Sequence, residues 1–348
     1  MSLISPALKG FMMLRNSAID NFMLNPIDTQ KQVFNHILGS AQFTEYGKKY
    51  GFENINSIAE FKKAVPINDY DTLKPYIERI LQGEQNILWP SPINWFAKSS
   101  GTTSDKSKFI PISKESLDDN HFKGGKDAFA LYLRQYPQSN FMSGKCLVIG
   151  GSHQINQLNV DSFYGDLSAV MLQNLPLYGQ IVRTPELSIA LMPEWEEKIE
   201  KIATTTIHEN VTYIAGVPTW TIVLIKRILE ISGAKNLSEV WPNLELYMHG
   251  GVSFKPYRKQ FEEFIPSEQM RYIETYNASE GFFAAQDDMG RDDMLLFLNH
   301  GIYYEFMPMD EYGKEHPETL SLNEVELNKN YALVLNTNGG LWRYVVGD

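Results

Sequence analysis

The chain has 348 residues, of which 43% are hydrophobic and 12% aromatic, so it is long enough for one large or two average domains with a substantial core. Its formal net charge of -11 argues against a nucleic-acid surface, which normally carries a basic stripe, although a few local lysines suffice to hold a small anion. The only cysteine is Cys146, which excludes an intramolecular disulfide and a zinc site built from several cysteines.

The sequence predicts a cytoplasmic protein without membrane contacts. Its N-terminus lacks an apolar run of signal-peptide length, and no segment of the sequence approaches the length needed to span a bilayer. The histidines are scattered, and none forms the H-x-x-x-H pair that would indicate a metal site.

The first part of the chain, residues 6 to about 85, is predicted to be helical. Apolar residues recur at helical spacing over 11–23 and 33–38, Pro26 marks a helix start, and the pattern continues over 54–64 and 70–81. The Met and Phe side chains of these stripes are expected to face a core rather than a ligand.

From about Asn94 onwards, apolar β-branched runs alternate with helical stretches. The runs are 145–150, 211–217, 243–248 and 331–335, and the helical stretches include 116–134, 194–203 and 219–232. This alternation predicts an α/β fold with a mostly parallel sheet, and the C-terminal part favours antiparallel strands with a turn at 336–340. We expect one continuous unit over 1–348, with a helical part at 1–90 and α/β and β subdomains over 91–348. Cys146 is expected to be a buried core thiol.

The most informative segment lies between Trp95 and Pro111. It contains the sequence Ser-Ser-Gly-Thr-Thr at 99–103, followed by further hydroxyl side chains and three lysines counting Lys98. Hydroxyls and closely spaced backbone N–H groups can surround phosphate oxygens, Gly101 permits a close approach, and lysines add positive charge. The segment is not a Walker A loop, because it lacks the G-x-x-x-x-G-K pattern. By the turn rules alone, an ordinary surface loop is the favoured interpretation.

Several polar, glycine-bearing segments follow predicted strands. They are the loop at 99–108 and the segments 150–153, 216–220, 249–253 and 276–281. In open α/β sheets the ligand binds at the carboxyl ends of the strands. One cleft lined by all of these segments is therefore expected.

Two further motifs carry chemistry. In the segment Tyr276–Glu280, the tyrosine offers a flat face for a purine, Ser279 can bond a phosphate or carboxylate oxygen, and Glu280 can bind Mg²⁺. In the segment 342–348, Asp348 follows a glycine and can accept two hydrogen bonds from vicinal ribose hydroxyls. Each motif alone has a structural alternative: a turn for the first and an amphipathic strand ending in a Gly-Asp turn for the second.

Together these ordered motifs resemble one family. The Ser-Ser-Gly-Thr-Thr loop, then Tyr-x-x-Ser-Glu, then aromatic-Arg-Tyr-x-Val-Gly-Asp is similar to the signature of the acyl-acid amido synthetases. These are the auxin-responsive, hormone-conjugating enzymes of plants and their bacterial relatives, within the adenylate-forming superfamily. The segments 216–220 and 250–251 also look like the family, so the resemblance spans the whole chain.

The resemblance implies the large N-terminal domain of an adenylate-forming enzyme and a two-step reaction. A small carboxylic acid attacks the α-phosphate of ATP to give an acyl-adenylate and pyrophosphate, and an amino acid then displaces AMP. Such chemistry gains mainly from positioning and from charge neutralisation by hydroxyls, lysine and Mg²⁺. The residues expected to hold the triphosphate are Ser99, Ser100, Gly101, Thr102, Thr103 and Lys108.

The remaining assignments follow from the same resemblance. Gly250, Gly251 and Ser253 would flank the adenine, with Tyr276 against its face. Ser279 would lie near the α-phosphate or the acyl carboxylate, Glu280 would bind Mg²⁺, and Asp348 would hold the ribose. The residues expected to act in catalysis are Ser100, Lys108, Ser279 and Glu280.

The acyl pocket is expected to be lined by apolar side chains. By position in the family, the candidate walls are the helix at 118–134 and the residues Phe163, Tyr164, Val217 and Trp220, each of which is also a candidate for plain core. Several aromatic residues would suit an aryl or other apolar acid better than a sugar acid.

The chain also departs from the family pattern. Val345 stands where plant members commonly carry a second arginine, and Asp105 places a negative charge inside the phosphate loop. Family members continue past the Gly-Asp into a smaller C-terminal domain that closes over the active site. We therefore expect a truncated chain that binds nucleotide but turns over poorly, since closure completes the site.

Two alternatives stay open. The acyl group could pass to coenzyme A or another acceptor, because the adenylation half would look the same. The chain could also be a non-catalytic module that only binds ATP or an acyl acid. The sequence does not indicate the identity of the acid or of the amine, or the oligomeric state.

Overall fold

The computed structural model describes residues 4–99, 107–151 and 155–347. Helices occupy the segments of the first part whose apolar spacing predicts them. They are α1 (Ile4–Met13), α2 (Arg15–Leu24), α3 (Pro26–Ala41), α4 (Glu45–Lys49), α5 (Ile58–Ala64) and α6 (Tyr70–Leu81), with a 3-10 turn at Phe52–Asn54 between α4 and α5.

Local capping explains where several of these helices begin. Pro26 occupies the start of α3, where its missing N–H costs nothing. The hydroxyl of Thr44 accepts a hydrogen bond from the N–H of Gly47 at the start of α4. Asp69 and Thr72 form a reciprocal capping box at the start of α6, which satisfies two N–H groups that the helix leaves unpaired.

The strands form three sheets. The first sheet has the order β2-β1-β5-β4 and consists of β1 (Trp95–Ser99), β2 (Lys108–Ile112), β4 (Asn156–Asn159) and β5 (Ser162–Gly165). The third is antiparallel, with the order β12-β13-β14, and consists of β12 (Ile302–Pro308), β13 (Tyr331–Thr337) and β14 (Tyr344–Val345).

The second sheet is the largest, with the order β11-β10-β9-β8-β7-β3-β6. Its strands are β3 (Lys145–Val148), β6 (Arg183–Thr184), β7 (Val211–Ala215), β8 (Leu246–Gly250), β9 (Arg271–Ala278), β10 (Gly281–Ala285) and β11 (Leu295–Leu296). The neighbouring strands β6, β3, β7, β8 and β9 pair in parallel orientation. Strand β10 pairs with β9, and β11 with β10, in antiparallel orientation. The predicted α/β fold, with a mostly parallel central sheet and a small antiparallel sheet, is confirmed.

The remaining helices surround these sheets. They are α7 (Lys114–Ser116), α8 (Phe122–Gln135), α9 (Leu167–Gln173), α10 (Leu177–Val182), α11 (Leu187–Ala190), α12 (Trp195–Thr206), α13 (Pro218–Ser232), α14 (Leu237–Val240) and α15 (Arg258–Phe264). A π turn at Leu117–His121 joins α7 to α8, so 114–135 is one helical segment with a bulge. In the part of the chain that the structure describes, no helix combines the length and the apolar character needed to cross a bilayer.

The second sheet carries a separate core on each face. Tyr213 of β7 packs on one face against Phe129 of α8, with ring centroids 5.6 Å apart. On the other face, Ile214 packs in a cluster with Ile225 of α13 and Phe261 of α15. Because both faces are covered, a ligand reaches this sheet at its edges.

The predicted core thiol is confirmed. Cys146 of β3 is 5% exposed, and burial raises the pKa of its thiol to about 12. A thiol that stays protonated in an apolar core is a packing residue and not a nucleophile.

Candidate functional site

The candidate site lies at one edge of the second sheet. Since β3, β7, β8 and β9 run parallel, with Ala215 beside Met248 and Gly250 beside Thr275, their carboxyl ends reach the same edge. The segments at the carboxyl ends of these strands were all predicted from the sequence as site candidates. They are 216–220, 249–253 and 276–281, and 150–153, of which the structure describes 150–151.

Gly250 and Gly251 bring β8 and β9 into close contact. A Cβ atom at Gly250 would lie 2.6 Å from the carbonyl oxygen of Thr275, and Gly251 has a φ of +80°, which disfavours any residue with a side chain. The missing side chain at Gly250 is therefore needed for the packing of β8 against β9 at the carboxyl ends of these strands. Ser253 follows in an exposed position.

Tyr276 presents an aromatic surface at this edge. Its side chain is 41% exposed, and its ring packs edge-on against Phe283 at 5.0 Å between centroids. A partly exposed aromatic ring can stack on a purine.

Ser279 and Glu280 form the two-residue turn between β9 and β10, because Ala278 pairs directly with Gly281. Both turn residues are half-buried. The structure thus places Ser279 and Glu280 at the end of the strand that carries Tyr276.

Asn120, which the sequence analysis did not single out, holds this turn in place. It lies in the π turn and is 1% exposed. Its Oδ1 accepts a hydrogen bond from the N–H of Phe282 at 2.6 Å, and its Nδ2 donates to the carbonyl of His300 at 2.9 Å. An asparagine inside a helical stretch is a poor helix former that often makes such side-chain bonds, which is the signal that could have revealed it.

The phosphate-loop candidates are only partly described. Ser99 and Lys108 pair with each other across β1 and β2, so the two ends of the loop are held together as a hairpin. Lys108 is 9% exposed, and no ion pair joins it to a described residue. Ser100, Gly101, Thr102 and Thr103 lie outside the described residues, as does Asp105.

A buried lysine of α12 holds the segment that follows β3. Lys198 of α12 is 2% exposed and donates from Nζ to the carbonyl of Gly151 at 2.7 Å. Burial lowers the pKa of Lys198, and the nearby Asp166 carboxylate opposes this shift. The N–H of Gly151 donates to Ser168 at 2.7 Å. These contacts fix the start of the segment that follows β3. No local sequence motif predicts them.

The four predicted acyl-pocket residues fall in two settings. Val217 lies beside the glycines of β8, since a Cβ at Gly251 would sit 3.4 Å from its Cγ2. Trp220 in the first turn of α13 is 39% exposed and packs edge-on against Trp195. Phe163 and Tyr164 instead belong to the first sheet, where they are half-buried.

The contacts of Phe163 and Tyr164 are aromatic. Phe163 stacks on Trp95 with centroids 5.0 Å apart, and Tyr164 packs edge-on against Phe109 at 5.2 Å. The ammonium of Lys98 lies 5.9 Å from the centre of the Tyr164 ring. These two residues therefore line the sheet from which the phosphate loop extends.

The helix at 118–134, which was predicted to form a wall of the acyl pocket, contains two adjacent glycines in different surroundings. A Cβ at Gly124 would lie 2.4 Å from the ring of Phe282, whereas a Cβ at Gly125 would meet no atom within 4 Å. One turn further along the Gly125 face, Phe129 packs on Tyr213 of β7. The helix therefore leaves space on the face that covers β7.

The last motif is anchored in the core. Trp342 is completely buried and donates from Nε1 to the carbonyl of Leu88 at 3.0 Å. Arg343 forms a buried ion pair with Glu305 at 2.9 Å. Val345 donates from its N–H to the carbonyl of Asn68 at 2.8 Å. Asp348 lies outside the described residues.

Residues 15–270 match the model of the GH3 family N-terminal domain, and residues 295–348 match that of the GH3 family central domain. The chain belongs to the GH3 family. Among curated GH3 relatives, it is 25% identical to the indole-3-acetic acid-amido synthetase GH3.3 of Arabidopsis thaliana, over 99% of this chain and 67% of the relative. It is 24% identical to the jasmonoyl–L-amino acid synthetase JAR4 of Nicotiana attenuata, over 92% of this chain and 65% of the relative.

The solved structures show the same fold. An acyl acid amido synthetase, AtGH3.15 in complex with 2,4-DB, superposes with a TM-score of 0.80 at 18% identity, over 95% of this chain and 66% of that one. A 2-hydroxyisobutyryl-CoA ligase superposes with a TM-score of 0.57 at 13% identity, over 91% of this chain and 67% of that one. The GH3 chain described here thus spans about two thirds of the length of its relatives.

Proposed function

We propose that this chain is the ATP- and acyl-acid-binding part of an acyl acid amido synthetase. The enzyme activates a small carboxylic acid as its adenylate and passes the acyl group to an amino acid. The observation that carries this proposal is the convergence of Gly250-Gly251, Tyr276 and the Ser279-Glu280 turn at one sheet edge of a GH3-family chain. The curated relatives are named for the same class of reaction.

ATP is proposed to bind along this edge. Gly250, Gly251 and Ser253 flank the adenine, and the partly exposed ring of Tyr276 stacks on it. Asp348 holds the ribose hydroxyls. The residues proposed for the triphosphate are Ser99, Ser100, Gly101, Thr102, Thr103 and Lys108.

Lys108 fits an anion for a physical reason. It is largely buried at the base of the loop, and no ion pair joins it to a described residue. A cation in a partly desolvated position attracts a phosphate strongly.

Glu280 is proposed as a ligand for Mg²⁺. The described residues contain no group of three or more His, Cys, Asp or Glu side chains that could hold a metal ion. A single carboxylate suits Mg²⁺, which is commonly bound by one or two carboxylates together with substrate phosphates. When bound, Mg²⁺ supplies charge neutralisation at the phosphates.

The first step is proposed as an in-line displacement at the α-phosphorus. A carboxylate oxygen of the acid forms a bond to phosphorus while the bond to the β-phosphate bridging oxygen breaks, which releases pyrophosphate. Ser100, Lys108 and Ser279 orient the reacting groups and stabilise the developing charge on phosphate oxygens. The amine of an amino acid then attacks the acyl carbon, and AMP leaves.

The acyl group is proposed to lie between the wall helix and the carboxyl end of β7. Gly125 opens onto empty space on the helix face that covers β7, and Val217 lies at the end of that strand. Trp220, Phe163 and Tyr164 are retained as candidate walls. These side chains favour an apolar or aryl acid.

The test is acid-dependent exchange of labelled pyrophosphate into ATP, with a panel of aryl and alkyl carboxylic acids. We expect Ser100→Ala and Glu280→Ala each to reduce the exchange by about a hundredfold or more, the typical loss on removing one charge-stabilising group. Ser232→Ala and Glu230→Ala are matched controls on the surface of α13 and are expected to retain it. Full exchange in both Ser100→Ala and Glu280→Ala would contradict the proposed site.

The acceptor is tested separately. Product formation is compared with amino acids and with coenzyme A, on a chain that carries the additional length of the relatives. Amide products support the proposal. Thioester products would show that the acceptor is coenzyme A and not an amino acid, and the proposal for the adenylation step would be unchanged.

A further inference from the structure

The hairpin that carries Ser279 and Glu280 is weakly supported by strand pairing near its turn. In the described part of the chain, β11 pairs with β10 at Ala284 and Ala285, beyond the first residues of that strand. The register between β9 and β10 shifts between Phe282 and Ala284. A two-stranded hairpin without further support is marginally stable. The position of the turn therefore depends on contacts from outside the sheet.

The side-chain amide of Asn120 makes such a contact in the way that a neighbouring strand would. Its Oδ1 accepts from the N–H of Phe282 at 2.6 Å, and its Nδ2 donates to the carbonyl of Phe282 at 3.3 Å. One amide thus pairs with both backbone groups of a residue that lies two positions after Glu280. The same Nδ2 donates to the carbonyl of His300 at 2.9 Å, so the amide itself is held in place.

The helical segment that carries Asn120 departs from α-helical geometry at this residue. The N–H of Phe122 donates to the carbonyl of Leu117, five residues earlier, which makes a π turn. Such turns are rare and occur frequently at functional sites, and asparagine is a poor helix former. Neither feature favours a regular helix. What they achieve together is to place this amide against β10.

The ring of Phe282 gives the hairpin a second contact that does not depend on Asn120. A Cβ at Gly124 would lie 2.4 Å from this ring, and the ring stacks on Phe297 with 5.8 Å between centroids. Apolar packing keeps the hairpin against the core but is non-directional, whereas hydrogen bonds fix distance and direction. The amide of Asn120 therefore determines where the turn lies more than whether the hairpin forms.

We propose that Asn120 is a positioning residue for the turn formed by Ser279 and Glu280. By holding Phe282, it keeps the Glu280 carboxylate and the Ser279 hydroxyl where they act on Mg²⁺ and on the α-phosphate. Residues that orient a metal ligand typically contribute about tenfold to a hundredfold in metal affinity or activity. The inference rests on the proposed function, from which the turn takes its role.

The first measurement needs no ligand. Asn120→Leu is nearly isosteric and removes the three hydrogen bonds of the amide. Amide hydrogen exchange, followed by mass spectrometry of peptides that cover 276–285, is expected to be about tenfold faster in this variant than in the unchanged chain. Equal exchange in the two chains would refute the proposal, because the turn would then be held without the amide.

Gln30→Met is the matched control. Gln30 of α3 is 3% exposed, and its amide donates to the carbonyls of Leu298 and Ile302 and accepts from the N–H of Tyr304. Like Asn120, it is a buried helix amide bonded to distant backbone, but it lies outside the candidate site. Urea unfolding compares the stability of the two variants. Gln30→Met is expected to leave both the exchange at 276–285 and the response to Mg²⁺ unchanged.

The second measurement is the contribution of Mg²⁺ to ATP binding. Isothermal titration calorimetry compares the affinity for ATP with and without MgCl₂, and most of the gain from Mg²⁺ is expected to be lost in Asn120→Leu. The Mg²⁺ concentration for half-maximal pyrophosphate exchange is expected to rise about tenfold or more. An unaltered gain and an unaltered Mg²⁺ requirement in folded Asn120→Leu would make Asn120 a structural residue only and would overturn the proposal.

The failure of this inference and that of the proposed function give different results. If the unchanged chain shows neither acid-dependent exchange nor a gain in ATP affinity from Mg²⁺, the proposed function is contradicted, and the role of the turn with it. If only the difference between Asn120→Leu and the unchanged chain is missing, the role of Asn120 alone is contradicted. Asn120→Ser, which is smaller and leaves room for a water molecule at Phe282, takes the place of Asn120→Leu if that variant does not fold, and the same changes are expected to a smaller degree.

Discussion

Replacing Arg343 by methionine should strongly destabilise the chain, because its side chain is buried and paired with Glu305. The guanidinium makes bonds of 2.9–3.1 Å to both carboxylate oxygens of Glu305, and it donates at 2.8 Å to the carbonyls of Lys62 and Val65. Glu305 is 0% exposed. The backbone N–H of Arg343 also donates to Asn336 at 2.8 Å and holds the residue at a φ of +42°.

The magnitude follows from what the substitution leaves behind. Breaking a buried ion pair by removing one partner costs about 3–5 kcal/mol, because the other charge stays buried without compensation. Thr319 and Asn336 still donate to Glu305 at 2.6 and 3.0 Å, which supports the lower end of this range. We therefore expect Arg343→Met to lower the free energy of unfolding by about 3 kcal/mol.

Urea unfolding followed by circular dichroism measures this loss, and a double-mutant cycle isolates the pair. Arg343→Met combined with Glu305→Leu removes both charges, so its loss should be smaller than the sum of the single losses by about 2 kcal/mol or more. The control is Arg227→Met, whose 2.6 Å ion pair with Glu200 is exposed and should contribute less than about 1 kcal/mol. Strict additivity of Arg343→Met and Glu305→Leu would refute the reasoning.

Three further predictions concern two glycines, two buried histidines and the single cysteine. Gly125→Ala should raise the free energy of unfolding by about 0.5–1 kcal/mol, because alanine favours a helix. Gly124→Ala should lower it, because its Cβ would lie 2.4 Å from the buried ring of Phe282. Equal effects of the two substitutions would contradict the packing described. Burial lowers the pKa of both His121 and His300 from 6.5 to about 4. Between these two pH values the unfolded state binds more protons than the folded state, so the free energy of unfolding decreases as the pH is lowered. At pH 5 the loss is about 2 kcal/mol for each histidine. His121→Leu should show a smaller loss between pH 7 and pH 5 than the unchanged chain, and an equal loss would argue against a neutral buried His121. The pKa of the Cys146 thiol is raised to about 12. Cys146 should therefore react with a disulfide reagent on the order of a thousandfold more slowly in the folded chain than after unfolding in urea. Rapid labelling of the folded chain would show that β3 is accessible.

The sequence was most informative where a strand is buried on both faces. The apolar runs that became β3, β7 and β8 predicted the parallel sheet, because only a strand covered on both faces reads as a continuous apolar run. The first sheet was not predicted, since β4 is polar and half-exposed and lacks a strand-like period. The turn at 336–340 and the antiparallel strands around it followed from local turn chemistry.

The candidate site divides in a similar way. Glycines that follow strands, an exposed tyrosine and a polar hairpin turn are local signals, so Gly250, Tyr276 and Glu280 could be selected from the sequence. Their proposed roles remain predictions. Asn120 and Lys198 could not be selected, because the partner of Asn120 lies 162 residues away and that of Lys198 lies 47 residues away. Contacts at such separation depend on the completed fold and leave no local periodicity.

The bond network around Asn68 bears on how the chain folds during synthesis. Its side chain donates to the carbonyl of Trp342, 274 residues later, and its backbone pairs with Arg343 and Val345. The amide of Gln30 similarly bonds to Leu298 and to residues beyond it. Gln30 of α3 and the segment before α6 therefore acquire these partners only after residues 298–345 have been translated. Until then the polar groups that α3 and Asn68 present to the third sheet lack their final partners, and a partly folded chain of this kind is more prone to aggregation than the completed one.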